Sequence, residues 1–165
     1  VLVWMSQDYS RVFELILYQP EIPPNTGNII RLCANTGANL HVIRPLGFDL
    51  DDRQLRRAGL DYHEFASIRA HDSLADCLAE LGAPRVFAVS TRGRQNFAEA
   101  SYTAGDAFLL GPETRGLPQE ILDGLPPEQV LRIPMRPENR SLNLSNAAAI
   151  LLYEAWRQQG YEGGS

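Results

Sequence analysis

The sequence predicts one α/β domain on a parallel, Rossmann-like sheet, and three observations lead there. Short apolar runs, FELILY at 13–18, RVFAVS at 85–90 and AFLL at 107–110, have the length and composition of buried strands. FELILY is followed by a helical pattern and then by NLHVIR at 39–44, which makes a βαβ unit with a parallel pair and a right-handed crossover. The strands ending at Ser90, Leu110 and Ile133 each run into glycine, proline or hydroxyl residues, so their carboxyl ends should lie together.

The elements follow in order. A chain of 165 residues with 44% hydrophobic content is expected to bury roughly two thirds of its unfolded surface as one domain. Residues 1–11 read as a flexible lead-in in which Met5 could be the start, 12–160 as the domain and 161–165 as a flexible tail. After the first strand, Pro20, Pro23 and Pro24 predict a rigid turn, with Asn25 as N-cap of a helix that stops at Gly37. Leu50–Ala58 reads as a short basic helix, and Asp72 or Ser73 caps another through Leu81. A short helix follows Pro118, DGLPPE is a turn, and QVLRI at 129–133 is the last strand. Ala147–Gln159, closed by Gly160, is strongly helical and apolar around much of its circumference, which calls for burial of more than one face; a dimer interface would cover the second.

Composition excludes several classes. No run of about 18 apolar residues is present, and no basic start precedes an apolar core and cleavage site, so a soluble, cytoplasmic protein without membrane contact is expected. Cys33 and Cys77 lack a CxxC or a histidine at metal spacing and read as buried thiols; no metal is expected. The net charge of −5 argues against indiscriminate attraction to nucleic acid. All fifteen basic residues are arginine, however, and eight of them form clusters at 53–57, 92–94 and 132–140. GxGxxG is missing after the first strand, which removes a dinucleotide site there. Tyr62 and His63 lack a nucleophile or acid partner in the sequence and read as structural or surface residues.

Candidate chemistry sits in three stretches. In DAFLLGPETRGLP at 106–118 a buried strand stops at Gly111, and Gly111 and Gly116 bracket a charged tip, letting backbone amides approach a ligand. Arg31 stands among apolar residues near a proline-fixed turn, where it either reaches the strand ends or is solvated. Ser141, Asn143, Ser145 and Asn146 exceed what one N-cap needs, and the surplus suggests ligand binding.

Together, PPNTGNIIR at 23–31, GPETRGLP at 111–118 and RSLNLSNA at 140–147 resemble the three motifs of the SPOUT superfamily of RNA methyltransferases, in its 2'-O-ribose branch. The likeness runs from Phe13 to Gly160. With RRAGLDYHEF at 56–65 and YEAWRQ at 153–158, the chain is similar to short members that methylate the wobble cytidine or uridine of tRNA. The resemblance implies a C-terminal trefoil knot, an exception to the rule against threading. It also implies S-adenosylmethionine as donor, S-adenosylhomocysteine as product, and a homodimer with tRNA as partner.

Carried onto this sequence, donor contacts come from Val89, Ser90, Gly111, Glu113, Gly116, Ile133, Met135, Ser141 and Asn146. Asn25, Arg31, Glu113 and Asn143 fall on catalytic positions, with Glu113 expected to face Arg31, and RNA contacts on Arg31, Arg56, Arg57 and Tyr153. A guanidinium holds its proton too firmly to serve as a base, so Arg31 is read as holding the substrate phosphate. Two other readings compete: a catalytically silent RNA-binding knot protein, and a methyltransferase of another tRNA or rRNA position.

Overall fold

The computed structural model describes residues 12–57 and 68–165. Seven strands form one sheet among them: β1 (Glu14–Tyr18), β2 (Asn39–Ile43), β3 (Ile68–His71), β4 (Val86–Val89), β5 (Gln95–Asn96), β6 (Ala107–Leu110) and β7 (Val130–Arg132). Their order is β3-β2-β1-β6-β4-β7-β5, and all six pairings are parallel. The helices are α1 (Pro23–Thr36), α2 (Arg53–Arg57), α3 (Leu74–Glu80), α4 (Gln119–Asp123) and α5 (Leu144–Gln158), with a 3₁₀ turn at Pro127–Gln129.

Strand periodicity explains the layers. Leu15, Leu17, Leu40, Val42, Phe108, Leu110 and Leu131 face one side, where Ile29, Ile30 and Cys33 of α1 and Leu151, Leu152 and Ala155 of α5 cover them. Ile16, Ile43, Ala88, Leu109 and Val130 face the other, against Cys77 of α3 and Leu122 of α4. A parallel sheet covered on both faces needs such continuous apolar strands, which is why they were legible. Both cysteines are buried free thiols, and burial raises Cys33 to about 12 and Cys77 to about 11.

Chain order reverses between β1 and β6. From β1 the chain steps outward through β2 to β3, then returns to fill β4, β6 and β7 on the opposite side of β1. A crevice at the carboxyl ends is the geometric consequence of that switch.

Four expectations change. The first helix begins at Pro23, not after Asn25: Ile22 is its N-cap, Pro23 and Pro24 occupy the first turn, and Asn25 lies buried inside it. Proline is preorganised for a first turn and has no amide to satisfy, so the prolines start this helix rather than hold it off. Strands β3 and β5 were not anticipated. Only Ala70 and Ile68 of β3 pack on the core, and β5 is a two-residue edge, so neither carries an apolar run. The last helix starts at Leu144, capped by Asn143, because the capping amides belong to Ser145 and Asn146. Residues 1–11, and Tyr62 and His63 within RRAGLDYHEF, lie outside the described residues; Arg56 belongs to α2, but its side chain is likewise outside them.

Candidate functional site

A cavity of about 780 Å³ opens at the carboxyl ends of β4, β6 and β7, a size that suits a nucleoside-sized ligand. Three loops wall it. Val89 and Ser90 come from the end of β4, Gly111, Glu113 and Gly116 from the loop after β6, and Ile133, Met135 and Ser141 from the segment after β7. Asn25 and Asn143 also line it.

The β6 loop is folded tightly on itself. A Cβ on Gly111 would lie 2.4 Å from the Leu117 amide nitrogen, closer than any side chain tolerates, and Gly116 holds φ at +67°. The Gly116 amide closes the turn by donating to the Pro112 carbonyl at 2.9 Å. Arg92, on the β4 loop, braces the far end by donating to the Leu117 carbonyl at 3.1 Å and to Gln119.

Polar side chains tie the loops to the helices. The Glu113 carboxylate accepts the amides of Glu21 at 2.8 Å and Ile22 at 2.7 Å, and Asn25 Nδ2 at 3.3 Å. Asn25 Oδ1 accepts from Asn143 Nδ2 at 2.9 Å, and Asn143 Oδ1 accepts the amides of Ser145 at 2.9 Å and Asn146 at 3.3 Å. Glu113, Asn25 and Asn143 therefore form one chain joining the starts of α1 and α5. The α1 N-terminus has no capping side chain of its own, and Glu113 supplies the negative charge its dipole favours.

Within the chain, Glu113 makes no contact with Arg31: its carboxylate is turned toward Glu21, Ile22 and Asn25. Arg31 is eight residues beyond Pro23, about 12 Å along the helix axis, exposed, and without a hydrogen bond or ion pair among the described residues. Asn146 is also outside the cavity lining; its amide serves the cap of α5. Arg57 is exposed on α2, and Tyr153 is 43% exposed on α5, edge-on to Trp156.

Sequence reasoning missed Ile22, Thr114, Arg115 and Arg140, all of which line the cavity. Thr114 and Arg115 lay inside the recognised loop, and Arg140 inside the third arginine group, so position was available as a signal while orientation was not.

The physics of this site is that of a ligand pocket whose lining combines loop backbone, apolar Leu110, Ile133 and Leu144, and the exposed arginines Arg92, Arg115 and Arg140. Comparison with known proteins gives that pocket a lineage. A relative from Methylovorus glucosotrophus (strain SIP3-4), named tRNA (cytidine(34)-2'-O)-methyltransferase, is 59% identical over 152 residues, covering 92% of this chain and 99% of the relative. A solved structure described as "Structural insights into the 2-OH methylation of C/U34 on tRNA" superposes with a TM-score of 0.84 at 48% identity, covering 93% of this chain and 99% of that one. The AdoMet-bound rRNA methyltransferase from Sinorhizobium meliloti aligns with a TM-score of 0.77 at 27% identity, over 88% of this chain and 56% of that one. The model of the SpoU rRNA Methylase family matches residues 13–153, and the chain belongs to that family.

Proposed function

We propose that the chain methylates the ribose 2'-hydroxyl of the wobble nucleotide of tRNA, cytidine or uridine, with S-adenosylmethionine as donor. The observation that carries this reading is the three-loop cavity at the switch point of the sheet, in a chain 59% identical to a relative named for that reaction. An AdoMet-bound structure of the same overall fold supports the choice of donor.

The residues fit such a donor. Apolar Val89, Leu110, Ile133 and Leu144 suit an adenine ring, while the loop backbones offer amides and carbonyls for its edge and ribose. When bound, S-adenosylmethionine supplies an electrophilic methyl group and leaves as S-adenosylhomocysteine. The protein's tasks are then alignment of the ribose oxygen with the carbon–sulfur bond and removal of one proton. Glu113, through Asn25 and Asn143, holds the loops in register. Arg31 grips a substrate phosphate bidentately, and the hydroxyl proton passes to phosphate or water, since a guanidinium does not accept it.

Three further features belong to this reading. The segment after β7 threads as a trefoil knot, which suits its return beside the β4 and β6 loops. Two chains pair, so that Arg31 of one approaches the cavity of the other, in keeping with its distance from its own cavity and with exposed Tyr153 on α5. Arginines of the two chains then flank one RNA groove despite the acidic total.

Incubation with labelled methyl donor and total tRNA, followed by nucleoside mass spectrometry and mapping, tests the proposal. A 2'-O-methylated cytidine or uridine at the wobble position supports it. Methylation of ribosomal RNA or of another tRNA position keeps the chemistry and replaces the substrate, and no transfer to any RNA removes the function.

A further inference from the structure

The loop that walls the cavity is held from outside by a residue with no assigned role. Glu113 receives the amides of Glu21 and Ile22, and Glu21 answers in the opposite direction: its Oε1 accepts the Thr114 amide at 3.0 Å and the Thr114 hydroxyl at 2.8 Å. Two adjacent residues of the β6 loop are thus exchanged with two adjacent residues of the turn after β1. Thr114 and Arg115 place this ring of hydrogen bonds at solvent, and the Thr114 amide and hydroxyl hold the Glu21 carboxyl below its usual value.

The position of the clamp gives it a consequence. Residues 111–117 turn back on themselves through the Gly116 amide, and the turn makes no contact with the start of α1 by its own closure. Three contacts beside Glu113 anchor it: Glu21 on Thr114, Gln19 accepting from Arg115 at 3.2 Å, and Arg92 on the Leu117 carbonyl. Of these only the Glu21 contact acts at the residue next to Glu113. It fixes the Thr114 peptide in the cavity wall, while the Glu113 carboxylate keeps its own three donors.

We propose that Glu21 is a positioning residue which, through Thr114, keeps the β6 loop closed over the methyl donor. The proposal rests on the reading of the cavity as the donor pocket. A positioning role predicts a selective effect, because the Glu21 carboxylate acts on Thr114 of the cavity wall and makes no hydrogen bond to Arg31, Arg57 or Tyr153, where RNA contacts are placed.

The test uses the full-length protein with S-adenosylmethionine and tRNA. Glu21→Ala should weaken calorimetric donor binding and raise the donor KM about fivefold, the scale of one exposed charge-assisted hydrogen bond, while the tRNA KM and kcat stay within about twofold. Glu21→Gln, which keeps a carbonyl oxygen for Thr114, should restore most of the loss. Thr114→Val should act in the same direction as Glu21→Ala, and the double variant should be no worse than Glu21→Ala alone. Wild-type donor affinity in Glu21→Ala overturns the proposal, as does an equal loss in donor and tRNA KM with a lowered melting temperature, which marks a merely structural residue. If the unsubstituted chain binds no donor, the pocket reading and the clamp fall together; if it binds donor and Glu21→Ala binds equally well, the clamp alone falls.

Discussion

Two groups of polar side chains lie against this sheet, and they are built in opposite ways. At the carboxyl ends, Glu113, Asn25 and Asn143 are joined through side-chain amides and one carboxylate. Under α3, on the other side of β1, Glu14, His41, His71 and Glu80 form a second chain. Its contacts are 2.7 Å from His41 Nε2 to Glu14, 3.0 Å between the imidazoles, and 3.1 Å from His71 Nδ1 to Glu80. Cys77 completes a group with the two histidines, all three buried and with ligand atoms within 4.8 Å. The first chain opens onto a cavity. The second lies apart from it: none of its members lines that cavity, and it runs from buried His41 and His71 out to exposed Glu80.

The difference separates polar groups that position a ligand from polar groups that hold the core together. Imidazoles beside carboxylates are the usual marks of acid–base catalysis, and here they lie away from the cavity. The cavity offers main-chain groups, amides and a carboxylate already engaged by three donors, as an activated methyl donor requires, since most of the electrophile's reactivity is intrinsic to it.

Removing either group should therefore give separable outcomes. Glu113→Ala takes the acceptor from two amides and from Asn25, so methyl transfer should fall about a hundredfold in single-turnover measurements. A rate within threefold of the original would place the cavity's key contact elsewhere. Arg31→Ala should lower transfer about tenfold or more with donor affinity unchanged, because Arg31 is absent from its own chain's cavity lining and its proposed contact is the substrate phosphate. Equal losses of donor binding and transfer would count against the phosphate role.

The smallest effect belongs to the histidine chain and is one of stability. Burial first, and then the neighbouring His41, keep His71 below its ordinary value; Glu80 opposes this, while Arg69 and Arg44 add to it. The unfolded chain takes up a proton near about pH 6.5, and the folded chain does so only at lower pH. The unfolded state then binds more protons, so stability should fall as pH drops below about 6.5 and level off under the folded value. Chemical denaturation at several pH values reads this slope. In His71→Asn it should flatten, with donor affinity at pH 8 unchanged.

Much of this was legible in the residues, for reasons that differ by element. Continuous apolar strands such as FLL at 108–110 announce a sheet covered on both faces, and glycines at 111 and 116 announce a close-packed loop. Eight of the nine expected donor residues line the cavity, because they sit at strand ends or in the loops that follow them; Asn146 falls within the first turn of α5. Asn25 was misread as a cap because an asparagine before a helical pattern has the same local signature whether it caps or lies one turn further in. The Glu113–Glu21 exchange joins residues 92 apart, and the histidine pair joins residues 30 apart, so neither has a spacing to be read. Partner choice for a charged side chain is a tertiary outcome.

The central claim is that the strand-end cavity holds the methyl donor, and calorimetric titration with S-adenosylmethionine tests it most directly. The unsubstituted chain should bind one donor per cavity. Gly111→Val, whose added side chain meets the Leu117 amide, should remain folded by circular dichroism and lose donor affinity by about tenfold or more. No binding by the unsubstituted chain, or equal affinity in Gly111→Val, would contradict it.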